Sequence, residues 1–147
     1  MTKREVLKRY FGHSTFREGQ ETVIDAILSG QDVLCVMPTG AGKSLCYQVP
    51  ALMKEGITIV ISPLISLMKD QVEGLTQSGV GAAYVNSTLA AGQYTKVIQN
   101  IRDHRYQLVY VAPERLSSPD FLNVCRQVPV SLVIVDEAHC VSQWGQN

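Results

Sequence analysis

The strongest constraint on the fold is a set of short, uninterrupted apolar runs that recur along the chain. Four runs are clear and one is weaker: residues 32–37, 57–61, 107–111 and 131–135, and the weaker 82–85. Runs of this length bounded by turn residues are typical of strands buried on both faces of a sheet. Between them, apolar residues recur at helical spacing, as in 64–79 and 92–103. Alternating strands and helices predict an α/β domain whose mostly parallel sheet is covered by helices on both faces.

Composition narrows the class of protein further. The 147 residues are 46% hydrophobic and include 13 basic and 13 acidic side chains, which argues against intrinsic disorder. The chain shows no linker or repeat, so we expect one undivided domain. No apolar run reaches the roughly 18 residues of a membrane span, and no signal-peptide pattern opens the chain. We therefore expect a cytoplasmic protein without a membrane partner.

The cysteines and the net charge limit the chemistry. Cysteines at positions 35, 46, 125 and 140 lie far apart and form no C-x-x-C pair, so we predict neither a disulfide framework nor a zinc site in this segment. A net charge of zero argues against binding nucleic acid through bulk electrostatics. Any contact with nucleic acid must therefore be local.

A glycine-rich segment joins the first apolar run to a helical pattern. Residues 37–44 read Met-Pro-Thr-Gly-Ala-Gly-Lys-Ser, and strand, glycine loop and helix in this order are typical of a phosphate-binding loop. Its glycines let backbone N–H groups surround a phosphate at a helix N-terminus. Met37 stands where this motif usually begins with glycine, and an ordinary glycine-rich turn is the alternative. The predicted nucleotide-binding residues are Thr39, Gly40, Ala41, Gly42, Lys43, which reaches the β- and γ-phosphates, and Ser44, which ligates Mg²⁺.

Two carboxylates follow the last apolar run. Asp136 and Glu137 come directly after the 131–135 run, and ligands of open parallel sheets bind beyond the carboxyl ends of the strands. We expect Asp136 to hold Mg²⁺ and Glu137 to orient or deprotonate the attacking water. Alone, such a pair is an ordinary solvated strand end. Together with the glycine loop it predicts nucleotide hydrolysis.

The acidic pair begins the string Asp-Glu-Ala-His, and the other motifs resemble the RecQ family of ATP-dependent DNA helicases. Residues 16–20, Phe-Arg-Glu-Gly-Gln, resemble that family's adenine-recognition motif, with Glu18 where proline is usual. The resemblance implies ATP as the nucleotide, because a glutamine amide both donates to and accepts from the N6/N7 edge of adenine. It assigns Gln20 to the base, and Arg17 and His13 to the base or its phosphates.

The same resemblance implies contacts with single-stranded and partly duplex DNA. Three strand-end segments are similar to DNA-backbone motifs of the family, although each is an ordinary polar turn if considered alone. The segment after the acidic pair is similar to the family's aromatic-rich loop, in which His139 and Gln143 would relay nucleotide state and Trp144 would stack on a base; a buried core tryptophan is the alternative. The DNA contacts implied are Ser62, Pro63, Leu64, Asn86, Ser87, Arg115, Ser142, Gln143 and Trp144.

As a whole, the resemblance implies that residues 1–147 are the N-terminal part of the first RecA-like ATP-binding domain of a P-loop helicase. The parent protein would unwind DNA in the 3′-to-5′ direction during repair and recombination, with a second RecA-like domain supplying an arginine finger. We further expect that this segment alone is weakly active or inactive, and that it exposes sheet edges, which lowers its stability or pairs it with another chain. Two alternatives stay open: an RNA helicase of the Asp-Glu-Ala-His type, and a nucleotide-binding module without catalysis.

Overall fold

A computed structural model describes residues 1–30 and 42–136 of the chain. Six α-helices and four strands lie within these residues. The helices are α1 (Lys3–Phe11), α2 (Gln20–Leu28), α3 (Lys43–Met53), α4 (Ile65–Gln77), α5 (Ala91–Arg102) and α6 (Pro119–Gln127). The strands are β1 (Ile57–Ile61), β2 (Ala82–Val85), β3 (Leu108–Val111) and β4 (Val130–Val135).

Several sequence predictions fall outside the described residues and stay predictions. They concern the 32–37 strand and the residues Thr39, Gly40, Ala41, Glu137, His139, Ser142, Gln143 and Trp144.

The chain forms two compact units, residues 1–55 and the residues from Gly56 onward. The sequence showed no linker at this boundary. The first unit contains α1, α2 and α3, which pack around the fully buried side chains of Val6, Ile24 and Val49. Phe16 is partly buried and packs against this cluster.

The second unit contains a four-stranded parallel sheet with the order β2-β3-β1-β4. Each pair of consecutive strands is connected through a helix, α4, α5 or α6, which is the connection that parallel strands require. The prediction of an α/β fold with a parallel sheet is therefore confirmed. None of the helices in the described residues has the length and apolarity needed to cross a membrane.

The core of the second unit explains the uninterrupted apolar runs. In β1 and β3, consecutive side chains are buried, so both faces of these strands are covered. Phe121 and Val124 of α6 and Ile98 and Ile101 of α5 form one cluster with the sheet. The strand β4 differs, because Val133 and Val135 remain 60% and 43% exposed.

Local sequence explains the helix boundaries. The Thr2 hydroxyl accepts a hydrogen bond from the Glu5 N–H at the start of α1, and Gly12 ends that helix in the left-handed region with φ +72°, as helix caps commonly do. A 3₁₀ turn (Pro113–Arg115) and α6 were not among the sequence predictions, because the prolines and serines in residues 113–119 obscure the helical pattern.

Candidate nucleotide and nucleic-acid sites

The first unit places the end of the glycine loop at the N-terminus of α3. Gly42 is the residue before this helix and has φ +78°, a left-handed conformation that glycine adopts without strain. A Cβ at this position would collide with the Gln20 side-chain nitrogen, so any other residue here would force the Gln20 amide to move. Lys43 and Ser44 form the first turn of α3 and are half-buried.

Gln20 connects the start of α2 to the start of α3. Its side chain is 1% exposed. Its Oε1 accepts a hydrogen bond from the Arg17 backbone N–H at 2.7 Å, and its Nε2 donates to the Gly42 carbonyl at 3.0 Å. The residue predicted to recognise adenine thus contacts the backbone of the glycine loop directly.

Arg17 and His13, the other residues predicted to contact the base or its phosphates, differ in how close they lie to Gln20 and Gly42. Arg17 is exposed, and its Cδ lies 3.9 Å from where a Cβ on Gly42 would be. His13 is also exposed, in the loop after α1, and its backbone N–H donates to the Leu7 carbonyl at 3.4 Å. The structure therefore brings Arg17, Gln20 and Gly42 together, and gives His13 no comparable contact with Gln20.

Two basic residues in the first turn of α1 form ion pairs with acidic residues of α2. Lys3 forms ion pairs with Asp25 at 2.7 Å and with Glu21 at 2.9 Å, and Arg4 pairs with Glu21 at 3.2 Å. Hydrogen bonds to Asp25 and then Glu21 raise the pKa of Lys3 above its ordinary value. These charges join two helices and do not form a free basic surface for nucleic acid.

The second unit aligns its predicted site residues along one edge of the sheet. All four strands are parallel, so their carboxyl ends lie at the same edge. Backbone hydrogen bonds continue past the strands: the N–H of Ser62 donates to Val111, that of Ala112 to Val85, and that of Asp136 to Ile61. The segments after β2, β3, β1 and β4 therefore lie side by side in that order.

The segment after β1 turns tightly into α4. Ser62 is 5% exposed, and its Oγ accepts a hydrogen bond from the Leu64 N–H at 3.2 Å. Pro63 and Leu64 are half-buried, while Ser66 and Leu67 in the first turn of α4 are exposed. The Ser62 hydroxyl shapes the turn, and the solvent-facing surface here belongs to the helix that follows.

The segment after β2 contains Asn86, which the sequence predicted to contact DNA but which is buried in the structure. This side chain is 2% exposed. Its Oδ1 accepts hydrogen bonds from the Thr88 backbone N–H at 2.9 Å and from the Thr88 hydroxyl, and its Nδ2 lies 3.6 Å from the Met68 sulfur. The buried amide closes the turn from inside, so Ser87, which is exposed, is the residue of this pair that the geometry offers to a ligand.

The segment after β3 presents Arg115 next to an aromatic ring. The Arg115 guanidinium carbon lies 5.0 Å from the centre of the Tyr94 ring, within the range of a cation–π interaction. Tyr94 belongs to α5, and its hydroxyl lies 3.2 Å from the Ser118 Oγ. Sequence reasoning missed Tyr94, because an aromatic residue in an amphipathic helix is ordinarily part of the core. The available signal was its place in the first turn of the helix that follows β2, close to the carboxyl edge of the sheet.

Comparison with known proteins gives the context of these two sites. Residues 17–147 match the DEAD/DEAH box helicase family. The chain is 50% identical over 143 residues to the ATP-dependent DNA helicase RecQ of Bacillus subtilis, covering 97% of this chain and 24% of that protein. It is 49% identical over 146 residues to RecQ of Pasteurella multocida, covering 99% of this chain and 23% of that protein.

A solved structure is also similar. The crystal structure of a hypothetical ATP-dependent RNA helicase from Sulfolobus tokodaii superposes with a TM-score of 0.73 at 25% identity, covering 97% of this chain and 43% of that one. The chain spans about a quarter of the length of the two RecQ relatives. The resemblance to RecQ helicases predicted from the motifs is confirmed, and the chain belongs to the DEAD/DEAH box helicase family.

Proposed function

We propose that this chain is the ATP-binding part of a DNA helicase of the RecQ type. The observation that carries the proposal is the bond from the Gln20 amide to the Gly42 carbonyl at the start of α3. It joins the side chain suited to adenine to the loop suited to phosphates, within one compact unit. The names of the RecQ relatives support DNA as the polymer.

The residues present fit an ATP–Mg²⁺ complex in their chemistry. Lys43 supplies a positive charge for the β- and γ-phosphates, and the α3 N-terminus favours an anion. Within the first unit, the Ser44 hydroxyl is a hard oxygen donor of the kind that Mg²⁺ prefers. Asp136 belongs to the second unit and stays a metal ligand predicted from the sequence. When bound, Mg²⁺ neutralises charge on the phosphates. We propose Glu137 as the residue that orients the attacking water.

The carboxyl edge of the second unit supports a nucleic-acid backbone interface. Exposed Ser87, the first turn of α4 and the Arg115 guanidinium follow three adjacent strands. Hydroxyl, backbone and guanidinium groups contact phosphates without reading base sequence, as a helicase that acts on many sequences requires. Such a local interface needs no excess of basic residues, which agrees with the net charge of zero.

Replacement of Lys43 tests the nucleotide site. We expect Lys43→Ala to reduce ATP–Mg²⁺ affinity at least tenfold, because the phosphates lose their cation, while Lys8→Ala on the exposed side of α1 leaves affinity unchanged. Isothermal titration of this chain with ATP and Mg²⁺ measures both. Equal affinity for the wild-type and Lys43→Ala chains would contradict the proposal. Binding without phosphate release would favour the non-catalytic module for this segment.

An RNA helicase is the second candidate, favoured by the similarity to the hypothetical RNA helicase from Sulfolobus tokodaii. ATP hydrolysis by the natural protein that contains this domain separates the two candidates. We expect single-stranded DNA to stimulate hydrolysis more strongly than RNA of the same sequence. Greater stimulation by RNA would indicate an RNA helicase, and it would not contradict the proposed nucleotide site.

A further inference from the structure

Tyr94 holds the segment after β3 at two points. Its ring faces the Arg115 guanidinium at 5.0 Å, and its hydroxyl lies within hydrogen-bonding distance of the Ser118 Oγ at 3.2 Å. Tyr94 itself is half-buried on α5 and packs against the apolar core of the second unit, which supports its ring. One side chain of a neighbouring helix thus contacts both ends of the loop between Arg115 and Ser118.

The backbone of this loop makes its own hydrogen bonds near those contacts. The Arg115 N–H donates to the Ala112 carbonyl at 3.0 Å, and the Ser118 N–H donates to the Arg115 carbonyl at 3.1 Å. Ser118 occupies the N-cap position of α6, yet its side chain makes no capping hydrogen bond to that helix. The serine hydroxyl contacts Tyr94 instead, which connects the loop to α5.

The environment of Arg115 differs from that of the cations on α1. Lys3 and Arg4 are paired with carboxylates, whereas the ion pairs found in the described part of the chain do not include Arg115. An aromatic ring attracts a guanidinium through its face and leaves the in-plane N–H donors available. Arg115 is therefore held in place while its donors can still form a bidentate pair with a phosphate.

We propose that Tyr94 is a positioning residue that holds the Arg115 guanidinium for a nucleic-acid phosphate. The proposal rests on the proposed function, because it requires that Arg115 contacts the backbone of the bound strand. Tyr94 acts through Arg115 and touches no nucleic acid itself. It lowers the cost of binding by restricting a long side chain before the phosphate arrives.

The experiment measures binding of this chain to a fluorescein-labelled oligothymidylate over a series of salt concentrations. We expect Arg115→Ala to weaken binding and to reduce the salt slope by about 0.7, the value for one phosphate contact on a single strand. We expect Tyr94→Leu to weaken binding about threefold to tenfold, within the range of a cation–π contact. Tyr94→Phe keeps the ring and is expected to retain most of the affinity.

The double variant separates positioning from general damage to the fold. If Tyr94 acts through Arg115, Tyr94→Leu adds little further loss in the Arg115→Ala background, so the two effects are strongly non-additive. Arg102→Ala removes a matched arginine, which is exposed on α5 and bonded to Gln127 at 3.0 Å. We expect Arg102→Ala to change the affinity and the salt slope less than Arg115→Ala does.

The outcomes are distinguishable. Unchanged binding in Arg115→Ala would overturn the proposed nucleic-acid contact itself. Weakened binding in Arg115→Ala with wild-type binding in Tyr94→Leu, or fully additive losses, would overturn only the positioning role. If Tyr94→Leu does not fold, pentafluorophenylalanine at position 94 keeps the ring shape and reverses its quadrupole. Weaker binding by that protein supports the proposal, and unchanged binding contradicts it.

Discussion

Gln20 and Asn86 are almost equally buried, at 1% and 2% exposure. They differ in how far along the chain the hydrogen-bond partners of their carboxamides lie. Gln20 bonds to backbone groups of Arg17 and Gly42, the latter 22 residues away. Asn86 bonds to Thr88, two residues along the chain, and its amide nitrogen faces Met68. One amide couples two loops of the first unit, and the other closes a single turn of the second.

This difference indicates at which of the two amides a bound ligand would change hydrogen bonds to a distant part of the chain. A ligand that draws the Gln20 amide toward itself must also change its bond to Gly42, the residue before the helix that carries Lys43. A ligand at the turn after β2 meets Ser87 and leaves the Asn86 bonds unchanged. We therefore expect base recognition and phosphate binding to be linked, and the turn at Asn86 to act as a fixed support.

Gln20→Ala is expected to have the larger effect. It removes the partners of the Arg17 N–H and the Gly42 carbonyl, which we expect to cost about 2 kcal/mol of unfolding free energy. It also frees the start of α3, so ATP affinity should fall about tenfold. Urea unfolding and ATP titration measure the two effects.

Two further variants define the origin of the Gln20 effect. Gln20→Glu can still accept from Arg17 but can no longer donate to Gly42 when ionised, so ATP affinity should fall here as well. Gln99→Ala removes an exposed carboxamide that bonds to Asp103 at 3.3 Å and serves as the matched control. Normal ATP affinity in both Gln20 variants would show that the link between the loops has no part in binding.

Asn86→Ala is expected to have the smaller effect. The turn loses the acceptor for the Thr88 N–H, at a cost of about 1 kcal/mol of unfolding free energy, and ATP affinity should not change. The same urea and ATP measurements apply. A loss of ATP affinity comparable to that of Gln20→Ala would contradict the distinction between a long-range and a local amide.

The strands and the segments that follow them could be predicted from the sequence, because uninterrupted apolar runs mark buried parallel strands and such sheets gather their loops at one edge. The direction of side chains within those loops could not. The letters Asn-Ser-Thr identify a turn, but whether the amide of Asn86 points inward depends on Met68 and on Thr88 as its hydrogen-bond partner. The role of Gln20 was predictable by residue type, while its bond to Gly42 depends on how α2 packs against α3.

The contact between Tyr94 and Arg115 is another feature that could not be predicted from the sequence. No motif contains both residues, which lie on different elements and meet only after β3 and α5 have packed. The division of the chain at Gly56 was equally hidden, since no change in composition marks it.

The hydrogen-bonded ends of β2, β3 and β1 also limit the length of nucleic acid that the segments after them can contact. Neighbouring strands in a sheet lie about 4.8 Å apart, so the segments after these three strands span about 10 Å. The phosphates of one strand in duplex DNA are spaced about 3.4 Å along the helix axis, and a more extended single strand spaces them further apart, so that span corresponds to at most about three nucleotides. We therefore expect the footprint of the second unit on a single strand to be short, so that affinity for oligothymidylates stops rising with length after the first few nucleotides.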